Sequence, residues 1–103
     1  MKQIKITIGG VEYPYQETCG AMLAFKRETG LDITQVAPDD TENNMRYMHQ
    51  VVKHTCKLTG QEFNMSFEEF VDKFHSLEYS QLLIDIQEQV AEFKETNDKS
   101  KKK

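Results

Sequence analysis

Cysteine is scarce in this chain. Two in 103 residues, Cys19 and Cys56, are too few for the disulfide framework of a small secreted domain. Long apolar runs are missing as well. No stretch approaches the ~18 residues of a membrane-spanning helix, and Met1-Lys2 opens on an alternating segment rather than on the apolar core of a secretory leader. These absences set the expectation of a soluble protein in a reducing cytoplasm, with no membrane partner. Positive charge is sparse outside the C-terminus. Lys plus Arg number 13 against 17 Asp plus Glu, a net charge of −4. Residues 94–103 hold five Lys and two acids, so residues 1–93 carry eight basic and fifteen acidic residues, a net of −7. An acidic body repels a phosphate backbone, which argues against a nucleic-acid partner. Hydrophobic residues make up 38% of the chain, enough for one small core. A domain of this size gains from a partner or an oligomer and has little room for a catalytic pocket. The expectation is that it is not an enzyme.

What is present reads as an α+β domain, an N-terminal β-hairpin packed on a small bundle of about four α-helices. Ile4, Ile6 and Ile8 alternate with polar residues, as do Val11, Tyr13 and Tyr15. Gly9-Gly10 between them suits a two-residue turn with positive φ at both positions. That loop length pairs Ile8 with Val11, Ile6 with Tyr13 and Ile4 with Tyr15, and puts all six on one face. Pro14 falls opposite Lys5 at a position that makes no ladder bond. An isolated hairpin is marginal in water, so its apolar face must rest on helices. The first helix runs to Thr29 with Thr18 as cap, Gly30 beyond its end, and an apolar arc of Cys19, Met22, Leu23 and Phe25. After a connection in which Leu31, Ile33 and Val36 tuck inward, a second helix spans about Glu42 to Lys57. One of its stripes is Met45, Met48, Val52 and Cys56, with Tyr47, Val51 and Leu58 beside it. The combined arc is wider than a surface helix needs, so this helix is central or meets a partner. Ser66-Phe67-Glu68-Glu69 is a capping box, with Met65 and Phe70 placed as its hydrophobic staple. Phe67, Phe70, Val71 and Phe74 line one side of the third helix. The fourth starts near Ser76 and carries a core stripe of Tyr79, Leu82, Leu83, Ile86, Val90 and Phe93. Leu77, Ile84 and Ala91 recur every seven residues on its far side. Residues 1–93 form one domain in this reading, and 94–103 a disordered lysine-rich tail.

No constellation carries chemistry by its spacing. His54 and Cys56 lie about 200° apart on a helix and cannot share an ion, and His49 and Cys56 are two turns apart. No metal or cofactor is expected. Cys19 sits near a helix start, where thiolate character is favoured, but without an orienting partner it reads as a small core residue. Gly9-Gly10 is not followed by a phosphate-loop signature. The Met and Phe residues between 45 and 74 either fill the core or form an adaptable binding surface. The candidate protein-binding residues are therefore Met45, Met48, Leu77, Ile84 and Ala91, which would hold a partner helix or a second copy.

The succession of elements resembles the small tail assembly chaperones of long-tailed bacteriophages and prophages. The resemblance rests on Gly-Val-Glu-Tyr-Pro at 10–14, on a helix closing in Phe-Lys-Arg-Glu-Thr-Gly-Leu at 25–31, on Gly-Gln-Glu at 60–62, and on Ser-Phe-Glu-Glu-Phe at 66–70. Order and spacing match over residues 4–93, although no single motif is specific. The resemblance implies a cytoplasmic assembly factor in the bacterial host. Such a factor binds the tape measure protein, and possibly other tail proteins, while the tail tube forms, and it is absent from the mature virion. It also implies that the lysine run could be a by-product of slippery codons in a frameshifting reading frame. The family offers no catalytic residues to carry over. Two further readings remain open, a structural tail completion or connector protein and a small host-directed inhibitor module.

Overall fold

The computed structural model describes the backbone of residues 3–101 and side chains as far as Lys94. Strand β1 (Ile4–Ile8) pairs antiparallel with β2 (Val11–Tyr15), in the register Ile4 with Tyr15, Ile6 with Tyr13 and Ile8 with Val11. Gly9 and Gly10 have φ of 60° and 81°, the left-handed pair that a primed turn demands. Pro14 lies opposite Lys5, where its missing N–H breaks no bond of the ladder. The turn is tied down from outside, since the Gly9 N–H donates to the Lys73 carbonyl at 2.9 Å.

Four α-helices follow, so the domain is an α+β hairpin and helix assembly. Helix α1 spans Cys19–Thr29, α2 Thr41–Thr59, α3 Phe67–Lys73 and α4 Ser76–Lys101, with a 3₁₀ turn at Ile33–Gln35. Side-chain oxygens of Thr18, Asp40 and Ser66 accept from the Ala21, Asn43 and Glu69 N–H groups, each at 3.2 Å. Gly30 and Gly60 close α1 and α2 in the left-handed conformation. The capping box of α3 is closed on one side only, because the Glu69 carboxylate pairs with Lys73 at 2.9 Å. At the start of α4 the His75 ring accepts at Nδ1 from the Leu77 N–H.

Helix α2 is the hub. It packs on α1, β2 and α3, while α4 packs on β1. Its wide arc is absorbed inside the fold: Tyr47, Met48, His49, Val51, Val52, Thr55 and Cys56 are all buried. They join Ile4, Ile6, Ile8, Tyr15, Ala21, Phe25, Phe70, Phe74 and Leu82 in one core. Thr55 fastens the hairpin's exit to this hub. Its hydroxyl accepts from the Gln16 N–H at 3.0 Å and donates within the helix to the Val51 carbonyl at 2.7 Å.

Several side chains depart from the sequence expectation. Of the expected arc on α1, Phe25 is buried and Met22 packs against the core, but Leu23 is exposed and Ala21 is buried in its place. The small Gly20 and Ala21 let α1 approach α2 closely; a Cβ on Gly20 would stand 3.7 Å from the His54 ring. That rotation turns Cys19 outward, so it is exposed and not a core residue. Leu31 and Leu58 are also exposed, because each sits at the end of an element, past the last neighbour that could cover it. Val11 is exposed for the same reason at the tip of the hairpin. Val90 and Phe93 of the fourth helix's core stripe are exposed too, since α4 outruns the body it packs on. Its backbone is helical through Lys101, where a tail was expected from Lys94. Extending an existing helix adds a hydrogen bond per residue, and residues 94–101 contain no Gly or Pro to stop it. The side chains after Lys94, and residues 102–103, on which the disorder expectation falls, lie outside the described residues.

Thr55→Val keeps the side chain's shape and strands the Gln16 N–H. We expect a loss of about 1–2 kcal/mol, read as a fall in thermal midpoint of roughly 4–8 °C per kcal/mol. Thr59→Val, which removes only a bond to the Cys56 carbonyl of its own helix, should stay within about 0.5 kcal/mol. Equal losses at both positions would show that the Thr55 clasp is not what matters.

Candidate functional site

The five residues singled out from sequence do not form one surface. Met48 is 2% exposed and belongs to the core, so it offers nothing to a partner. It was misplaced because a helix buried on three sides carries the same apolar excess as a helix with a docking face. Met45 is half-buried and packs against the core cluster. Leu77, Ile84 and Ala91 do lie on the exposed side of α4, at 72% exposure for Leu77 and 49% for Ile84. Seven residues are almost two helical turns, so these three stand in a row about 10 Å apart. The row is one residue wide and flanked by the exposed Ser80, Gln81, Gln87 and Glu88. Gln81 is held along the helix by a hydrogen bond to Asp85 at 3.0 Å.

The Met and Phe residues between 45 and 74 build a different feature. Ring contacts run without a break from Tyr13 through Phe63, His49, Phe70 and Phe74 to Tyr79, with centroid separations of 5.1–6.1 Å. This collar joins β2, the loop before α3, α2, α3 and α4. Phe67 lies at its rim, half-buried, with the Arg46 guanidinium 4.2 Å from its ring centroid. Such a stack is a cation–π contact at a partly exposed site. Arg46 also reaches Glu28 and Glu42, both at 3.1 Å, and so ties α1, α2 and α3 together at the surface.

His49 is the polar member of the collar, and nothing in its sequence position singled it out. Its ring is buried beside Phe63, Phe67 and Phe70. Nε2–H donates to the Met65 carbonyl at 2.9 Å, which makes Nδ1 the bare nitrogen, and Nδ1 is buried without a hydrogen-bond partner. Burial pushes the imidazole below its ordinary value, against the opposing pull of the Met65 carbonyl and Glu28. A second polar group lies under the hairpin. The Tyr47 hydroxyl donates to Glu17 at 2.8 Å, and burial, then the Glu17 carboxylate, raise its pKa. Burial and the same carboxylate raise Tyr15 well above its usual range, and its hydroxyl has no hydrogen-bond partner.

Among the described residues, no group of three or more His, Cys, Asp or Glu is placed to hold a metal ion. No helix of these residues is long and apolar enough to cross a membrane. An open cleft between the end of the hairpin and α4 is lined by Gln3, Pro14, Gln16, Thr55, Thr59 and Gln89 among others. Its polar groups are amides and hydroxyls. No protein-family model, no curated protein and no solved structure matches the chain.

The depressed His49 pKa fixes a sign. The folded state resists protonation, so below the ordinary value near 6.5 the unfolded chain binds more protons and stability falls. Above that value the folded form is undisturbed. The thermal midpoint should therefore drop between pH 7.5 and pH 5.5, before most carboxylates titrate. His49→Phe should flatten that slope. A slope that persists unchanged in His49→Phe would assign it to other groups.

Proposed function

We propose that the chain is a tail assembly chaperone of a long-tailed phage or prophage, one that binds the tape measure protein and leaves before the virion is complete. The observation that carries the reading is the exposed row Leu77, Ile84 and Ala91 on a helix whose other face feeds the core through Leu82, Leu83 and Ile86. A tape measure is a long helix with apolar stripes that need cover until the tube closes around it. A narrow row of apolar residues at helical spacing suits such a target, through helix-to-helix contact of the groove type. One row gives weak binding. Many copies along one filament gain from multivalency, and weak single contacts let them be displaced as the tube grows. The element order expected from the resemblance, a glycine-turned hairpin and then helices closing at Gly30 and Gly60, agrees with this reading. The proposed site is the outer face of α4, with Ile84 at its centre. The partner is another protein, and the role is non-enzymatic.

Co-expression with the tape measure reading frame from the same gene neighbourhood tests this. The tape measure should be soluble with the chain present and aggregate without it. Ile84→Glu should abolish the protection. It should also leave the chain's own thermal midpoint within a few degrees, since a half-exposed surface position contributes about 0.5 kcal/mol or less. A tape measure equally soluble alone, or this chain retained in purified tails, would overturn the proposal.

A further inference from the structure

The hairpin leaves one edge of its sheet open. In a hairpin with a two-residue loop, Ile8 and Val11 beside the turn exchange ladder bonds, so the alternate pairs Lys5–Pro14 and Thr7–Glu12 do not. The N–H and C=O groups of Lys5 and Thr7 therefore point away from β2. Among the described residues no group bonds to any of the four. The two edges of the sheet differ. On β2 the outward positions are Glu12 and Pro14, and Pro14 has no N–H to give. Strand β1 has neither a proline nor a bulge, the devices that keep an edge from pairing. Its one charged side chain, Lys5, reaches across the sheet to Glu12 at 3.8 Å rather than over the edge.

A groove follows this edge, with α4 as its far wall. Lys5, Thr7 and Glu12 line the hairpin side, and Glu78, Gln81 and Asp85 the helix side. Glu78 and Asp85 are half-buried and stand about 10 Å apart, two turns along α4. Neither has a Lys or Arg within ion-pair distance among the described residues. Asp85 accepts from Gln81 at 3.0 Å, which orients its carboxylate and leaves its charge unbalanced.

We propose that this groove takes an extended, basic segment of another protein, which adds to β1 as an antiparallel third strand. Donors and acceptors at the spacing of a strand edge are matched by another extended backbone, and antiparallel pairing is the more stable kind. Guest side chains alternate between the two faces. Those opposite Lys5 and Thr7 share the outer face and carry the N–H groups that bond to β1. Those between them turn toward α4, where Lys or Arg meets Glu78 and Asp85. A second copy fits poorly, since its own β1 edge is bounded by the same carboxylates and residues 1–93 carry a net of −7. The inference uses the hairpin edge and the flank of α4 beside it, so it stands whether or not the chaperone reading does.

The test uses the isotope-labelled full chain and, as probe, the blocked peptide acetyl-Thr-Lys-Val-Lys-Val-Lys-Thr-amide at up to millimolar concentration. Amide hydrogen exchange is read residue by residue. At saturation the Lys5 and Thr7 N–H groups should exchange at least tenfold more slowly, while the Glu12 N–H on the opposite edge is unchanged. A peptide with Glu in place of each Lys should not bind. Methylating the Val nitrogens of the probe removes the N–H groups aimed at β1 and should abolish binding, whereas methylating the Lys nitrogens of its backbone should leave it. Glu78→Gln with Asp85→Asn should weaken the lysine peptide about fivefold, and added salt should weaken it too. No protection at millimolar peptide, or equal binding of the glutamate or the methyl-valine peptide, overturns the inference. So does protection of Lys5 and Thr7 that grows with the chain's own concentration in the absence of peptide, which would give the edge to a second copy. None of these results bears on tape measure solubility, so the two proposals fail separately.

Discussion

A two-stranded sheet has one apolar face, and in this chain that face has to be covered by helices. Ile4, Ile6, Ile8 and Tyr15 are all buried, and no third strand extends the sheet among the described residues. Isolated hairpins do not persist in water. The two strands are therefore stable only because α2 lies against β2 and α4 against β1. That requirement explains other details. The Gly9 N–H donates to the last carbonyl of α3, satisfying a helix-end acceptor that would otherwise be unpaired. Thr55 holds the strand's exit against the middle of the longest buried helix.

Helix α2 absorbs three neighbours, and its polar residues show how that burial is made tolerable. Thr55 and His49 are the only buried polar residues among those described. Each directs a hydrogen bond at the backbone of a neighbouring segment, Thr55 toward Gln16 and His49 toward Met65. Backbone groups at the ends of a strand and of a loop are those that lack regular partners, so a side chain reaching from the hub is an economical way to satisfy them. The price is left on the other atom: His49 Nδ1 is buried with no hydrogen-bond partner. Tyr15 carries a similar burden, its hydroxyl unpartnered beside the Glu17–Tyr47 pair.

What could be read from sequence follows from how local the deciding physics is. The hairpin register depends on a period of two and a two-glycine loop. The caps at Thr18 and Ser66 and the stop at Gly30 depend on one or two residues each. All were legible. The face a helix buries depends on its neighbours, and there the pattern was ambiguous. Leu23 and Cys19 scored as apolar on α1, but Gly20 and Ala21 are smaller and let the helix come closer, so contact went to their side. Met48 belonged to an arc too wide for a surface helix, and only the positions of α1, α3 and β2 decide that the whole arc is internal. His49 could not be found by spacing at all, because its role is set by Met65 and by three phenylalanines brought in from another helix and a loop. On α4, periodicity identified both the core stripe and the row at Leu77, Ile84 and Ala91. It could not say where along the stripe the body ends.

Helix α4 consequently has two regimes along its length and two faces around it. From Tyr79 to Ile86 its inner face is ordinary core, and the hairpin is its neighbour. From Val90 onward the same face continues with no neighbour among the described residues, although its side chains are of the kind a core would use. An exposed aliphatic and an exposed phenylalanine in register with a buried stripe differ from scattered surface hydrophobes, which need no explanation. They extend a face that, nearer the start of the helix, is already packed on the hairpin. The outer row is different in kind, one residue wide, bordered by polar side chains and repeated at almost two turns. A wide continuous face suits a lasting contact, and a thin interrupted row suits a weak one repeated many times. On the proposed reading, gathering along a filament and then letting go would use both, and a single helix has room for them on opposite sides.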